Sequence, residues 1–259
     1  MNVKYSLLAA AALSATTPAS AAPLYNDDFQ SAVGSEWSTN FGGGLALDGV
    51  PADLNRRFLG RNDGNSTLGN SNDILKLSLN GLGAHTKLAV SFDVYVINSW
   101  DGNGDLGNFG FGPDIFGVSL KNVTPGSASG LLTTFSNVDH GEAGSDPVVG
   151  ALQSYPNAFP DLPGAPAQSG ANEVGTLGYN YFGATVPRDD SVYHISLTFD
   201  HTATSMDLSF FALGLQDITD ESWGLDNVRV DATAPVPVPA PLMLLGSGVL
   251  GLTSLRRRR

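Results

Sequence analysis

The 259-residue chain contains no cysteine, so it can form neither disulfide bonds nor a catalytic thiol. Its fold must therefore be held by its apolar core and by any metal ions that it binds. Charged residues are scarce at 15%, and no apolar stretch between residues 22 and 231 keeps a sustained helical period. Together these features argue against helical bundles, coiled coils and charged disordered chains.

Basic residues are few within the body of the chain. All 25 acidic residues lie between residues 22 and 231 with only eight of the 13 Lys and Arg, so this body carries a formal charge of −17. A body this acidic repels nucleic-acid backbones, and we expect no nucleic-acid partner. The same charge favours solubility and the binding of cations.

Catalytic motifs are also missing. The four glutamates do not form the closely spaced Glu-x-Asp-x-Glu pattern of sandwich-fold glycosidases, although distant carboxylates can still meet in space. The sequence has no G-x-S-x-G elbow and no H-E-x-x-H zinc motif, and its four histidines are scattered. We therefore expect no enzymatic activity, with a polysaccharide hydrolase or lyase as the enzymatic alternative.

The N-terminus has the pattern of a secretory signal peptide. Lys4 precedes an apolar run at residues 7–13, and the small residues Ala19 and Ala21 flank Ser20 as an A-x-A cleavage site. This pattern predicts a signal peptide over residues 1–21. The alternative is an uncleaved anchor, which the short apolar core disfavours.

The C-terminus combines three features. A proline-rich stretch at residues 235–241 is followed by an apolar stretch at 242–255 and then by four arginines. As a helix the apolar stretch would rise about 21 Å, against a bilayer core of about 30 Å, and flanking arginines can snorkel to the interface. We expect a short transmembrane helix whose arginines stay cytoplasmic. The alternative is a terminal helix docked on the domain.

This tripartite tail resembles the PEP-CTERM sorting signal in its VPxPA variant, although Val238 replaces the usual Glu. The resemblance implies a sorting signal over residues 232–259, recognised by an exosortase in the inner membrane after passage through the secretion machinery. It further implies an exported protein, anchored before processing and then found at the cell surface or outside the cell. The residues that carry it are Val236, Pro237, Val238, Pro239, Ala240, Arg256, Arg257, Arg258 and Arg259.

Between the two termini the sequence is rich in strand patterns. Alternating or β-branched runs, separated by Gly, Asn, Asp and Pro turns, predict many strands and few helices. We expect an all-β fold, a two-sheet antiparallel β-sandwich or jelly roll over residues 22–231, with long surface loops at 126–130 and 141–172. The predicted strands lie at residues 74–79, 88–97, 115–120, 193–199, 206–213 and 227–230.

The first and last parts of the body resemble the terminal strands of galactose-binding-like domains and related carbohydrate-binding modules. The motifs are the opening segment 25–30 with Trp37 and the closing segment 220–230. The segment 92–102 with 112–114 further resembles a jelly-roll body that recurs among PEP-CTERM proteins. In jelly rolls of this kind a structural calcium often ties the first strand to the last.

Carried over to this chain, that calcium would be bound by Asp28 or Gln30 together with Asp226. The acidic body without disulfides would gain stability from such an ion, because a ligand that binds only the folded state stabilises it. The alternative is that Asp226 caps a turn while Asp27 and Asp28 are solvated charges at the sheet edge.

A second calcium candidate comes from residue spacing alone. Asp101, Asn103 and Asp105 place oxygen-bearing side chains at alternate positions, and Asp114 follows shortly after. The sixth and twelfth positions lack the Gly and Glu of an EF-hand, so the pattern indicates a looser calcium loop. The alternative is a hairpin loop whose side chains cap backbone groups.

Two tryptophans mark candidate sugar contacts. Trp100 and Trp223 each lie where a strand meets a turn, and sugar rings stack on indole faces. Packing in the core is the alternative for both. The function that we expect is an exported surface or matrix protein whose calcium-stabilised body binds extracellular polysaccharide; the alternative is a purely structural or adhesive component without a specific glycan site.

Overall fold

The computed structural model describes residues 22–40, 44–60, 74–104, 112–121, 129–137, 152–180, 189–216 and 218–233. Within these ranges the secondary structure is all strand, and the prediction of an all-β fold is confirmed. The strands are β1 (Tyr25–Asp27), β2 (Trp37–Thr39), β3 (Leu47–Val50), β4 (Asp53–Gly60), β5 (Ile74–Asn80), β6 (Lys87–Asn98), β7 (Ile115–Leu120), β8 (Gly130–Thr134), β9 (Glu173–Val174), β10 (Asp190–Asp200), β11 (Ser205–Leu213) and β12 (Glu221–Thr233).

The strands form two antiparallel sheets that pack face to face. The larger sheet has the order β3-β4-β12-β6-β10-β9, and the smaller sheet has the order β2-β5-β11-β7-β8. If the eight main strands are numbered in chain order, leaving out β1, β2, β3 and β9, the sheets read 1-8-3-6 and 2-7-4-5. Two nested Greek keys produce this order, so the β-sandwich has the topology of a jelly roll.

Strand β12 organises the larger sheet. On one side it pairs with β6 along most of its length. On the other side it pairs first with β4, at Gly224 and Leu225, and then with β1, at residues 228–230. Between these two partners the register with β6 shifts after Asp226, where Asn227 has a positive φ of 51°. A β-bulge of this kind lets one strand edge serve two partners in succession.

The main core lies between the sheets. Strands with period-2 alternation turn one row of side chains inward, as β11 does with Met206, Leu208 and Phe210. Aromatic rings from both sheets meet there, and Phe92 packs edge-on against Phe210 at 5.0 Å between ring centroids. Burial of these large apolar side chains holds the sandwich together without disulfides.

A second, smaller core covers part of the outer face of the larger sheet. It contains Phe58 and Tyr95, whose ring centroids are 4.9 Å apart, together with Ile97, Val192 and the loop residue Leu177. The Phe58 ring lies directly on Gly60 and Gly224. A Cβ atom built on Gly224 would be 2.2 Å from the ring. Glycine is required there because the aromatic ring occupies the space of a side chain.

No helix in the described ranges has the length and apolar character needed to cross a bilayer. The expected signal peptide at residues 1–21 lies outside the described residues, as do the proline-rich motif, the apolar stretch and the arginines of the expected sorting signal.

Candidate metal centre and outer face

One end of the sandwich gathers the ends of four strands from both sheets. In the larger sheet β6 ends shortly before Asp101 and β12 begins at Glu221. In the smaller sheet β7 begins directly after Asp114, and β11 ends shortly before Gln216. Antiparallel pairing therefore brings four segments that are distant in sequence to one place.

Three carboxylates meet at this end, and we call Asp101, Asp114 and Glu221 the acidic triad. One carboxylate oxygen of each lies within 4.8 Å of the others. In the described ranges, the triad is the cluster of acidic or histidine side chains that is close enough to hold a metal ion. Asp114 and Glu221 are fully buried, and Asp101 is 9% exposed. Gln216 bridges the triad, because its Nε2 lies 3.5 Å from Asp101 Oδ2 and 3.4 Å from Glu221 Oε1.

The hydrogen bonds of the triad leave one buried oxygen without a donor. Asp114 Oδ2 accepts a hydrogen bond from the backbone N–H of Asp101, and Glu221 Oε2 accepts one from the backbone N–H of Gln216. Asp114 Oδ1 is buried and has no partner within the described part of the chain. A buried acceptor without a partner costs free energy and calls for an explanation such as an ion.

Burial shifts the pKa of each member upward. Burial, with the nearby charge of Asp220, raises the pKa of Asp101 to about 6. Burial also raises the pKa of Glu221 to about 7, with further upward contributions from Asp101 and Asp220. For Asp114, burial and the charge of Glu221 raise the pKa well above its ordinary value. The site therefore resists full ionisation of its three carboxylates, because solvent does not relieve their mutual repulsion.

This arrangement suits a cation better than a substrate. A glycosidase needs its two carboxyl groups on either side of a sugar, whereas two members of the triad are fully buried and offer no surface to a polymer. Carboxylate oxygens are the ligands that Ca²⁺ and Mg²⁺ take in proteins. The chemistry available to these residues is thus cation binding, or the sharing of a proton between Asp114 and Glu221.

The sequence-predicted calcium loop is only partly assembled. The structure brings Asp101 and Asp114 together, but the amide of Asn103 turns elsewhere. Asn103 Oδ1 accepts hydrogen bonds from Thr134 Oγ1 at 2.5 Å and Ser154 Oγ at 2.7 Å, so it anchors a neighbouring loop. Asp105 lies outside the described residues. Sequence reasoning did not single out Glu221 or Gln216 as members of this group.

The other predicted set, Asp28, Gln30 and Asp226, lies near the junction of β1, β4 and β12. Both oxygens of Asp226 accept hydrogen bonds, from Tyr95 OH at 2.7 Å and from the backbone N–H of Asn227 at 2.8 Å. Gln30 Nε2 donates to the carbonyl oxygen of Asp28 at 2.7 Å. Burial raises the pKa of Asp226 to about 6. These contacts are made within the protein, and whether the set also binds calcium stays a prediction.

Both candidate sugar-stacking tryptophans lie in the main core. Trp100 is 0% exposed and Trp223 is 1% exposed. The indole N–H of Trp100 donates to the carbonyl oxygen of Ser222 at 2.8 Å, and Trp223 packs edge-on against Phe116. Neither ring presents a face to solvent, so core packing is the role that the structure gives them.

The outer face of the larger sheet is polar where the second core ends, and we call this area the open face. Asp93 lies at its centre and accepts hydrogen bonds from His194 Nδ1 and Asn227 Nδ2, both at 2.7 Å. Arg229 donates twice to Asp231, at 2.6 and 2.8 Å. The remaining outward side chains of β6 and β10 in this area include Ala89, Ser91, Ser196 and Thr198, with the Lys87–Asp200 ion pair at the end of the two strands.

No protein-family model matches the chain, and no curated protein matches it. A family GH115 4-O-methyl-alpha-glucuronidase, BtGH115A, described as specific for decorated arabinogalactans, is similar in structure. Its identity is 13% over 85% of this chain and 19% of its own, with a TM-score of 0.35. The K2 cleaved adhesin domain of Lys-gingipain matches at 14% identity over 80% of this chain and 96% of its own, with a TM-score of 0.29. Similarities this low leave the function to be argued from the residues of this chain.

Proposed function

We propose that this chain is an exported, non-catalytic surface or matrix protein whose β-sandwich binds polysaccharide through the open face. The two terminal sequence signals support export and exosortase sorting. The observation that carries the binding proposal is the row of hydrogen-bonded polar side chains around Asp93. Sugar hydroxyls both donate and accept, so a face of fixed donors and acceptors suits them.

The charges on the chain restrict the class of ligand. The body is strongly acidic, and an anionic polymer would be repelled at long range. We therefore propose a neutral polysaccharide. The pairs on the open face are already ordered by their own hydrogen bonds, which lowers the entropy lost when a ligand binds.

Binding is tested by pull-down on the exopolysaccharide of the producing strain and on an array of neutral and anionic glycans. Asp93→Ala and His194→Ala should each weaken binding tenfold or more, the loss of about one to two polar contacts. Asp53→Asn, an exposed change at the start of β4, is the charge-changing control. If both open-face variants bind like the native protein, this face is not the site.

Failure of the native protein to bind any glycan would instead favour the structural or adhesive alternative, which self-association assays then test. Release of soluble fragments from polymeric substrates would overturn the proposal that the protein is non-catalytic.

For export, mass spectrometry of protein recovered outside the cell should find a C-terminus without the four arginines. Intact protein dissolved in the cytosol would contradict sorting.

A further inference from the structure

We propose that Asp101, Asp114 and Glu221 bind a divalent cation, Ca²⁺ by their chemistry, which ties the ends of both sheets together. This site is separate from the open face, and the inference does not depend on polysaccharide binding. It differs from the predicted loop of Asp101, Asn103, Asp105 and Asp114, because Glu221 joins Asp101 and Asp114 as the third carboxylate. It shares no residue with the predicted set of Asp28, Gln30 and Asp226.

The distances fit a shared ion. Ca²⁺ lies 2.3–2.6 Å from its oxygen ligands, so two oxygens on one ion are at most about 5 Å apart. The three carboxylate oxygens fall within 4.8 Å of one another. Each pair of triad oxygens is therefore close enough to share one ion.

The unpartnered oxygen of Asp114 is a second, independent indication. Asp114 is fully buried, and its Oδ1 has no hydrogen-bond donor in the described part of the chain. Neither Asp114 nor Glu221 has a basic side chain as partner within the same ranges. A cation supplies the missing partner and offsets the repulsion among the carboxylates.

The neighbouring Gln216 can add a further oxygen ligand. The amide of Gln216 already spans Asp101 and Glu221, and half a turn of that amide would exchange its nitrogen for its oxygen. An all-oxygen set with several carboxylates selects hard cations over zinc or copper. The flexible coordination of Ca²⁺ tolerates such a set better than the strict octahedron of Mg²⁺.

The position in the fold says what the ion would do. Asp101 follows the end of β6 and Glu221 begins β12, whereas Asp114 precedes β7 and Gln216 follows β11 of the other sheet. The ion would therefore link the two sheets at one end, the role that disulfides play in other exported proteins. Since a cation that binds only the folded state stabilises it, removal should lower the melting temperature.

Terbium luminescence reads the site directly. Trp100 precedes Asp101, and its indole bonds to the carbonyl of Ser222, next to Glu221. Tb³⁺ bound at the triad should therefore be sensitised by tryptophan excitation, saturate at one ion per chain and be displaced by Ca²⁺. The measurement uses purified protein stripped with a chelator.

Thermal unfolding gives the second readout. At a Ca²⁺ concentration one hundred times the dissociation constant, the melting temperature of the stripped protein should rise by about 5–10 °C. Glu221→Gln keeps the shape and removes a ligand charge. It should abolish both the Tb³⁺ emission and the Ca²⁺ shift, while its metal-free form melts no lower than the metal-free native protein because a repelling charge is gone.

Two controls make the result decisive. Asp53→Asn removes an exposed charge and should leave both readouts unchanged, and Asp226→Asn tests the other predicted calcium set. Absence of Tb³⁺ emission and of a Ca²⁺ shift in the native protein would overturn the inference in favour of a shared proton. Loss of both signals in Asp226→Asn, with retention in Glu221→Gln, would overturn it in favour of the other set.

Discussion

The contact between Phe58 and Gly224 should produce strong energetic coupling. The Phe58 ring is fully buried, lies 4.9 Å from the Tyr95 ring between centroids, and fills the space above Gly224. Phe58→Ala should cost about 3–5 kcal/mol of unfolding free energy, because it removes a ring from a packed core. In a domain of this size that lowers the melting temperature on the order of 10 °C.

Gly224→Ala alone should cost about 1–3 kcal/mol, because the new methyl would lie 2.2 Å from the ring. In the Phe58→Ala background the same methyl enters vacated space, and its nearest remaining contact is the carbonyl oxygen of Leu59 at 3.2 Å. Alanine is also favoured over glycine within a strand by about 0.5–1 kcal/mol. The double variant should therefore be at least about 1 kcal/mol more stable than the sum of the single changes predicts.

Urea unfolding of the four proteins measures this coupling. Phe199→Ala is the matched control, since Phe199 pairs opposite Leu88, far along the sheet from Gly224. Its effect should add to that of Gly224→Ala. Additive effects in the Phe58 cycle would refute the view that the ring takes the place of a glycine side chain.

Three further predictions concern single residues. Burial and a neighbouring histidine lower the pKa of His201, so the unfolded chain takes up a proton at a higher pH than the folded protein does. As the pH is lowered from about 7 to about 5.5, the unfolding free energy of the native protein should therefore fall relative to that of His201→Gln. A difference that stays constant with pH would contradict this. Asp190 accepts three hydrogen bonds from the backbone N–H groups of residues 177–179. Asp190→Ala should lower the unfolding free energy in urea by about 3 kcal/mol and speed amide hydrogen exchange at these residues, whereas Asp190→Asn should cost less. Arg56 donates two parallel hydrogen bonds to the carboxylate of Glu173, at 2.8 and 3.1 Å. Arg56→Lys should lower the unfolding free energy in urea by about 1 kcal/mol, and no loss of stability would show that the bidentate contact is dispensable.

Period-2 patterning was sufficient to predict the long strands. All six predicted strands are present, and β7 has the predicted bounds of Ile115–Leu120. Strands β3, β4, β8 and β9 were not predicted, because they carry little alternation of their own. β8 begins at Gly130, which the sequence placed in a loop, and β4 presents its charged residues outward over half its length. Their pairing with neighbouring strands decides their conformation, and that information is non-local.

The site was predictable only in part for a similar reason. Asp101 and Asp114 stand out by local spacing, but Glu221 lies in the closing segment 220–230, about 100 residues further along the chain. It reaches the triad through the pairing of β12 with β6, where Glu221 lies opposite Asn98. Burial of Trp100 and Trp223 is likewise a property of the packed sandwich, since an indole beside a turn can face either way.

The length of β12 has a mechanical consequence. The strand runs 13 residues, about 40 Å, from the triad end to Thr233, and β1 pairs beside its final part. Both chain ends of the described body therefore leave on the side remote from the triad. A pull applied at Thr233 and resisted at the far end would load the β12–β6 ladder in shear, where many hydrogen bonds must break at once, so the sandwich should resist stretching far better along this axis than across it.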